Sequence, residues 1–189
     1  MPRHLSVIVV AALALVSLAA PPTARAQTTV TPANEVVSAA VKRAGAEQKV
    51  VLVEFGASWC TWCRSFEAFV QAPDTGPIIA ANYIVVNLTV HERDGKESLE
   101  NPGGNALMEA WGGGNSGLPF YVFVDKDGKK IADSDAMPNG GNIGFPAVPV
   151  EVAAFMGLIA RTAPRLSRAD GAVLESYLTR AMAKPRTAP

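Results

Sequence analysis

Val50-Val51-Leu52-Val53-Glu54-Phe55, then Gly56-Ala57-Ser58, then Trp59-Cys60-Thr61-Trp62-Cys63: this run joins a near-continuous apolar segment to the only two cysteines of the 189-residue chain. A short run so rich in β-branched residues predicts a central strand covered on both faces. Phe66, Phe69 and Val70 follow at helical spacing and predict a helix that lasts until Pro73. The cysteines therefore stand at a strand-to-helix junction. Glu54 is the one charged residue of the strand before it.

Cysteines at i and i+3 across a helix start can staple, ligate or react. As a staple the ring is small, worth roughly 2 kcal/mol in the chain-entropy formula against about 3 kcal/mol for a 15-residue loop. As a zinc site the pair supplies half of a tetrahedral set, and beyond the N-terminal segment the chain has no third cysteine and only His91 among histidines. As a reactive pair the two are unequal. Cys60 lies at the helix N-terminus, where free N–H groups and the helix dipole favour a thiolate, and Cys63 sits one turn in, where less exposure is expected. Cys60 then forms the mixed disulfide and Cys63 resolves it.

Outward from the junction, Ala33 to Gln48 carries Val36, Val37, Ala40, Val41 and Ala44 on one helical face. Ile78 to Asn82 predicts a short helical turn, Tyr83 to Val90 a second buried strand, and Ala106 to Trp111 another short helix. Phe120–Val124 and Lys130–Ala132 flank Asp125-Lys126-Asp127-Gly128, a hairpin signal because Asp-Gly supplies a positive-φ turn. The glycine- and proline-rich segment 133–149 predicts an irregular surface loop, and Val150–Ala160 and Ser167–Ala183 predict two further helices. The charged loop after Val90, with His91, Glu92 and Asp94, reads as solvated, and Arg64 reads as a solvated helix charge. Glycines 112–114 lack the following Gly-Lys-Ser/Thr of a phosphate loop.

The first residues have the layout of a secretory signal: Arg3 and His4, an apolar run from Leu5 to Ala20, and Ala24-Arg25-Ala26 as a cleavage site. That run is shorter than the roughly 18 residues of a spanning helix. Expected domains are a signal peptide over 1–26, a single α/β domain over 27–163 and a C-terminal helical extension over 164–189. Export to the periplasm or an equivalent compartment follows. The whole chain has 17 basic and 17 acidic residues, and Arg3 and Arg25 fall in the removed piece, so the remainder is slightly acidic. No basic stripe points to nucleic acid.

Together, Val51 to Phe55 with Trp59-Cys60-Thr61-Trp62-Cys63-Arg64, and Leu118-Pro119-Phe120 with the following strand and Asp125-Lys126-Asp127-Gly128-Lys129, resemble the two signature segments of the thioredoxin superfamily, in the right order. With Ser65-Phe66-Glu67 after the motif, the chain is most similar to exported members of the DsbD C-terminal-domain-like and thioredoxin-7-like kinds. The resemblance implies a thioredoxin fold, a mixed central sheet with helices on both faces. It implies a redox-active Cys60–Cys63 pair with no organic cofactor or metal, Pro119 as a cis-proline facing it, and Leu118 offering backbone hydrogen bonds to an extended substrate. Glu54 occupies the place of the family's buried acid behind the second cysteine, where it is expected to move the proton of Cys63. Trp59 and Trp62 give a flat apolar surface for a partner polypeptide. Thr61-Trp62 departs from the familiar Gly-Pro, which leaves the direction of electron flow open.

The expected activity is thiol–disulfide exchange with protein substrates, as a reductase fed by a membrane electron donor. The alternatives are a disulfide oxidase or isomerase, and a non-catalytic thioredoxin-fold protein that binds a partner through Trp59, Trp62 and Pro119.

Overall fold

The computed structural model describes residues 30–182; the predicted signal segment and its cleavage site lie outside the described residues. Four strands form one sheet in the order β2-β1-β3-β4, with β1 at Val50–Gly56, β2 at Tyr83–Thr89, β3 at Phe120–Val124 and β4 at Lys130–Asp133. β1 pairs parallel with β2 and antiparallel with β3, and β3 pairs antiparallel with β4, so the sheet is mixed. The parallel pair is bridged by helices α2 (Thr61–Gln71) and α3 (Gly76–Asn82), as a crossover requires. The hairpin turn is built as its sequence predicts. Gly128 has φ 82°, its N–H donates to the Asp125 carbonyl, and Asp125 Oδ1 accepts the N–H groups of Asp127 and Lys129.

Side chains alternate across a strand, and that alternation sorts the core into two layers. Val51, Val53 and Phe55 of β1 pack with helix α1 (Ala33–Glu47) and with Met108 of α4 (Gly104–Ala110). Leu52 points the other way, into a cluster with Phe66 and Phe69 of α2, Phe155 of α5 (Pro149–Thr162) and Leu174 and Leu178 of α6 (Arg168–Met182). Glu54 and Gly56 share the parity of Leu52. The one acid of the strand is thus delivered to the face covered by the cysteine-bearing helix.

One expectation needs correction. Segment 133–149 is not only a surface loop: Ile143 and Phe145 are buried and join the core under α2, and Ser134 is buried with its Oγ accepting the Tyr121 N–H. The Ile143 N–H donates to the Ser134 carbonyl, and the Ser134 N–H to the Tyr121 carbonyl, which ties the loop back to β3. The glycines 112–114 have a packing reason. A Cβ on Gly113 would stand 2.5 Å from the Phe120 ring and 2.9 Å from Met108, so only glycine lets this turn close onto β3.

Candidate active site

Cys60 caps helix α2 and is bonded to Cys63. The Ala57–Cys60 turn is closed by the Cys60 N–H on the Ala57 carbonyl, and at its end Cys60 Sγ accepts the Cys63 N–H at 3.0 Å. The N-terminal position expected for Cys60 is present. The expected difference in exposure is not: Cys60 is 4 % exposed and Cys63 7 %. The reason is the cover. Leu118 packs against the buried cluster of Ala57, Cys60 and Cys63. What separates the two sulfurs is the helix end, which aims a backbone N–H at Cys60.

Leu118, which packs on this cluster, is joined to Pro119 by a cis peptide bond. The Asn142 amide donates to the carbonyls of Gly117 and Pro119, so the inward-folded loop holds this segment from the far side. Trp62, 41 % exposed, stacks on Phe145 with ring centroids 6.1 Å apart and planes 17° from parallel. Trp62, Leu118, Ile143, Phe145, Val148 and Glu151 border a groove of about 220 Å³. Segment 133–149 therefore contributes one wall of the site, which its composition did not signal.

Behind Cys63 lies an open cleft of about 490 Å³, bordered by Glu54, Gly56, Arg64, Glu67 and Glu92. Glu54 is 3 % exposed, and its Oε1 has no hydrogen-bond partner. Desolvation, reinforced by the nearby Glu67 charge, pushes the carboxyl up to about 8, so it is neutral at pH 7. A Cβ placed on Gly56 would lie 3.3 Å from Cys63 Sγ and 3.5 Å from Glu54 Oε1, so the acid and the sulfur flank one methyl-sized space.

In the loop after β2, His91 and Asp94 are exposed as their charges predict, but Glu92 is not. Glu92 is 7 % exposed; its Oε1 accepts the Ser58 N–H at 2.6 Å and its Oε2 the Ser58 hydroxyl at 2.8 Å. Desolvation works to raise this carboxyl, but the two Ser58 hydrogen bonds and Lys96 outweigh it and hold it below the usual range. The Trp59 indole N–H donates to the His91 carbonyl, and the Arg93 guanidinium lies 3.6 Å above the Trp59 ring. Arg64 is exposed yet donates to the Ser58 carbonyl and to Thr61 Oγ1, which ties the helix start to the turn before it. A Glu in a charged loop carries no local sign of such a partner; the signal is a contact across 34 positions. Among the described residues, no group of three or more His, Cys, Asp or Glu side chains is arranged to hold a metal ion.

Residues 33–126 match the family model described as Thioredoxin-like. No curated protein matches the sequence. Among solved structures, a disulphide isomerase from Xylella fastidiosa Temecula1 is similar at 21 % identity and TM-score 0.47, over 84 % of this chain and 95 % of that one. A DsbH oxidoreductase is similar at 17 % identity and TM-score 0.42, over 79 % and 93 %. The oxidised C-terminal domain of DsbD from Neisseria meningitidis is similar at 19 % identity and TM-score 0.38, over 55 % and 84 %. The family match runs from the start of α1 into the hairpin turn and takes in both cysteines and Pro119, so the chain belongs to the thioredoxin-like family, as a thiol–disulfide oxidoreductase with a CxxC active site.

Proposed function

We propose that the chain is an exported reductase of protein disulfides, recharged by a membrane-bound dithiol donor. The observation that carries the direction is the acidic cleft behind Cys63: Glu54, Glu67 and Glu92 border it and Arg64 is the one cation there. A dithiol pair is a strong oxidant when its thiolate form is stabilised, and the Glu67 and Glu92 carboxylates that border the cleft with the neutral Glu54 do the opposite. The surroundings of Cys63 therefore favour handing electrons on.

In the cycle, a donor thiolate attacks Cys60 Sγ, the Cys60–Cys63 bond breaks, and Cys63 leaves as a thiolate that takes the Glu54 proton across the Gly56 gap. The second donor thiol gives its proton to solvent and attacks the donor sulfur of the mixed disulfide, forming the donor disulfide and freeing the Cys60 thiolate. That thiolate next attacks a substrate disulfide and releases one substrate thiolate. Cys63 returns its proton to Glu54 and attacks Cys60, re-forming the 60–63 bond and releasing the second substrate thiolate; two electrons have passed from donor to substrate. Trp59, Trp62, Leu118 and Pro119 form the face on which the substrate chain rests. Export rests on the N-terminal pattern of residues 1–26 and accords with a disulfide-forming compartment, where reduction requires a dedicated electron supply.

Equilibrating the Cys60–Cys63 pair with glutathione buffers tests the direction. A reductase gives a potential near the roughly −270 mV of thioredoxin, and a value near the roughly −120 mV of a strong oxidase overturns the proposal. Fractionation of the producing cells, with N-terminal sequencing of the product, tests export and cleavage after Ala26.

A further inference from the structure

We infer that Glu92 is a positioning residue for the nucleophile: it fixes Ser58, and through the Ala57–Cys60 turn it sets Cys60 Sγ on the helix end. The inference deepens the oxidoreductase reading and rests on it.

Three atoms of Ser58 are held at once. Its N–H and hydroxyl donate to the two carboxylate oxygens of Glu92, and its carbonyl accepts from Arg64 Nη1 at 3.0 Å. Glu92 is itself fixed, because its own N–H donates to Glu100 Oε1 at 2.7 Å, and Glu100 Oε2 accepts the Asn105 amide at 2.7 Å. The chain of contacts therefore runs from α4 through the loop to the residue in the middle of the active-site turn. Two positions later Cys60 caps α2, with its sulfur 3.0 Å from the Cys63 backbone nitrogen. In the reduced protein that N–H is the donor that favours a thiolate on Cys60. It acts only while the turn keeps the sulfur over the helix end. A carboxylate bonded by two short hydrogen bonds is a stronger restraint on the turn than a neutral acceptor. Trp59, between Ser58 and Cys60, is tied to the same loop through the His91 carbonyl and the Arg93 guanidinium, so the turn is fixed on both sides of its centre.

The test compares Glu92→Ala, Glu92→Gln and Ser58→Ala in the full chain. For each, the reduced Cys60 thiol is titrated by its pH-dependent rate of alkylation, and kcat and KM are measured for reduction of a peptide disulfide. Glu92→Ala is expected to raise the apparent pKa of Cys60 and to lower kcat by about tenfold or more, the scale of a small misplacement of a reacting group, with KM little changed. Glu92→Gln keeps an acceptor for the Ser58 N–H, and the Ser58 hydroxyl turns to accept from the amide, so activity is retained within about threefold. Ser58→Ala removes one of the two donors and is expected to give a smaller loss of the same kind, about threefold. A Glu92→Ala protein that loses thermal stability but keeps the wild-type alkylation profile and kcat overturns the inference, as does Glu92→Gln behaving like Glu92→Ala. If Glu92→Ala does not fold, Ser58→Ala decides alone, and an unchanged profile and kcat then overturn it. Loss of all exchange activity in the wild type would instead sink the oxidoreductase reading.

Discussion

Gly56 abuts Cys63 so closely that a side-chain carbon on Gly56 would lie 3.3 Å from both the Cβ and the Sγ of Cys63. The glycine ends β1 on the parity that faces α2, and its missing side chain is the space between sulfur and acid. Gly56→Ala fills that space. Overpacking of a tight core position costs about 1–3 kcal/mol, and the added methyl also separates Glu54 from Cys63. The expected result is a lower melting temperature and slower release of substrate from the mixed disulfide, with initial attack by Cys60 less affected. Single-turnover kinetics resolve the two steps, and an unchanged release rate would show that the gap has no part in resolution.

Glu54 makes stability depend on pH in an unusual sense. Its carboxyl is raised from 4.5 to about 8 on folding, so between those values the native state binds more protons than the unfolded chain. Stability from this group is full below about pH 4.5, falls as pH rises towards 8, and is lowest above it; the shift corresponds to on the order of 5 kcal/mol. Glu92 is depressed and contributes in the opposite sense at lower pH, so the informative quantity is the difference between wild type and Glu54→Gln. That difference is expected to favour the variant increasingly from pH 5 to pH 8 in urea titrations. A difference independent of pH would show that Glu54 is ionised throughout. In the same variant the mixed disulfide is expected to persist longer, since Cys63 lacks its proton partner.

The sheet and the junction were legible because each is local: a β-branched run, a helix start and an Asp-Gly turn. The cis Leu118–Pro119 bond was expected from the family resemblance, since a Pro before a strand does not by itself specify it. Glu54 was legible as an anomaly, one acid in a buried run. Glu92, Gly113 and Phe145 were not. Glu92 is read by a serine far back in the chain, Gly113 by the Phe120 ring at the start of the next strand, and Phe145 by Trp62, and no spacing within their own segments carries those partners. Composition described 133–149 correctly as irregular and said nothing of which side chains turn inward.

Phe145 supports the substrate face from beneath. It is buried, belongs to the core and stacks under the exposed ring of Trp62. Phe145→Ala removes a core aromatic, at a cost of about 3–5 kcal/mol, and leaves Trp62 without its stacking surface. Below the melting transition the variant is expected to show a raised KM for protein disulfides, while the reduction potential of the pair moves little. Fluorescence anisotropy of Trp62, with Trp59 and Trp111 replaced by Phe, would report the loosened ring. A KM equal to wild type would exclude Trp62 from substrate contact.

Helix α6 braces the helix that carries the cysteines. Leu174 and Leu178 are fully buried in the cluster containing Phe66 and Phe69, the Tyr177 ring lies 5.4 Å from that of Phe69, and Arg180 pairs with Asp74 just beyond α2. The exposed ion pair adds at most a few tenths to about 1 kcal/mol, whereas a Leu→Ala change at either buried site costs about 2–5 kcal/mol. Leu178→Ala is therefore expected to lower the denaturant midpoint substantially, and Arg180→Ala hardly at all. Because α6 touches the Phe69 side of α2 and not Cys60, the reduction potential of folded Leu178→Ala protein should match wild type. A Leu178→Ala protein of wild-type stability would mean that α6 does not pack on the core in solution, and with it the bracing of α2 would fall.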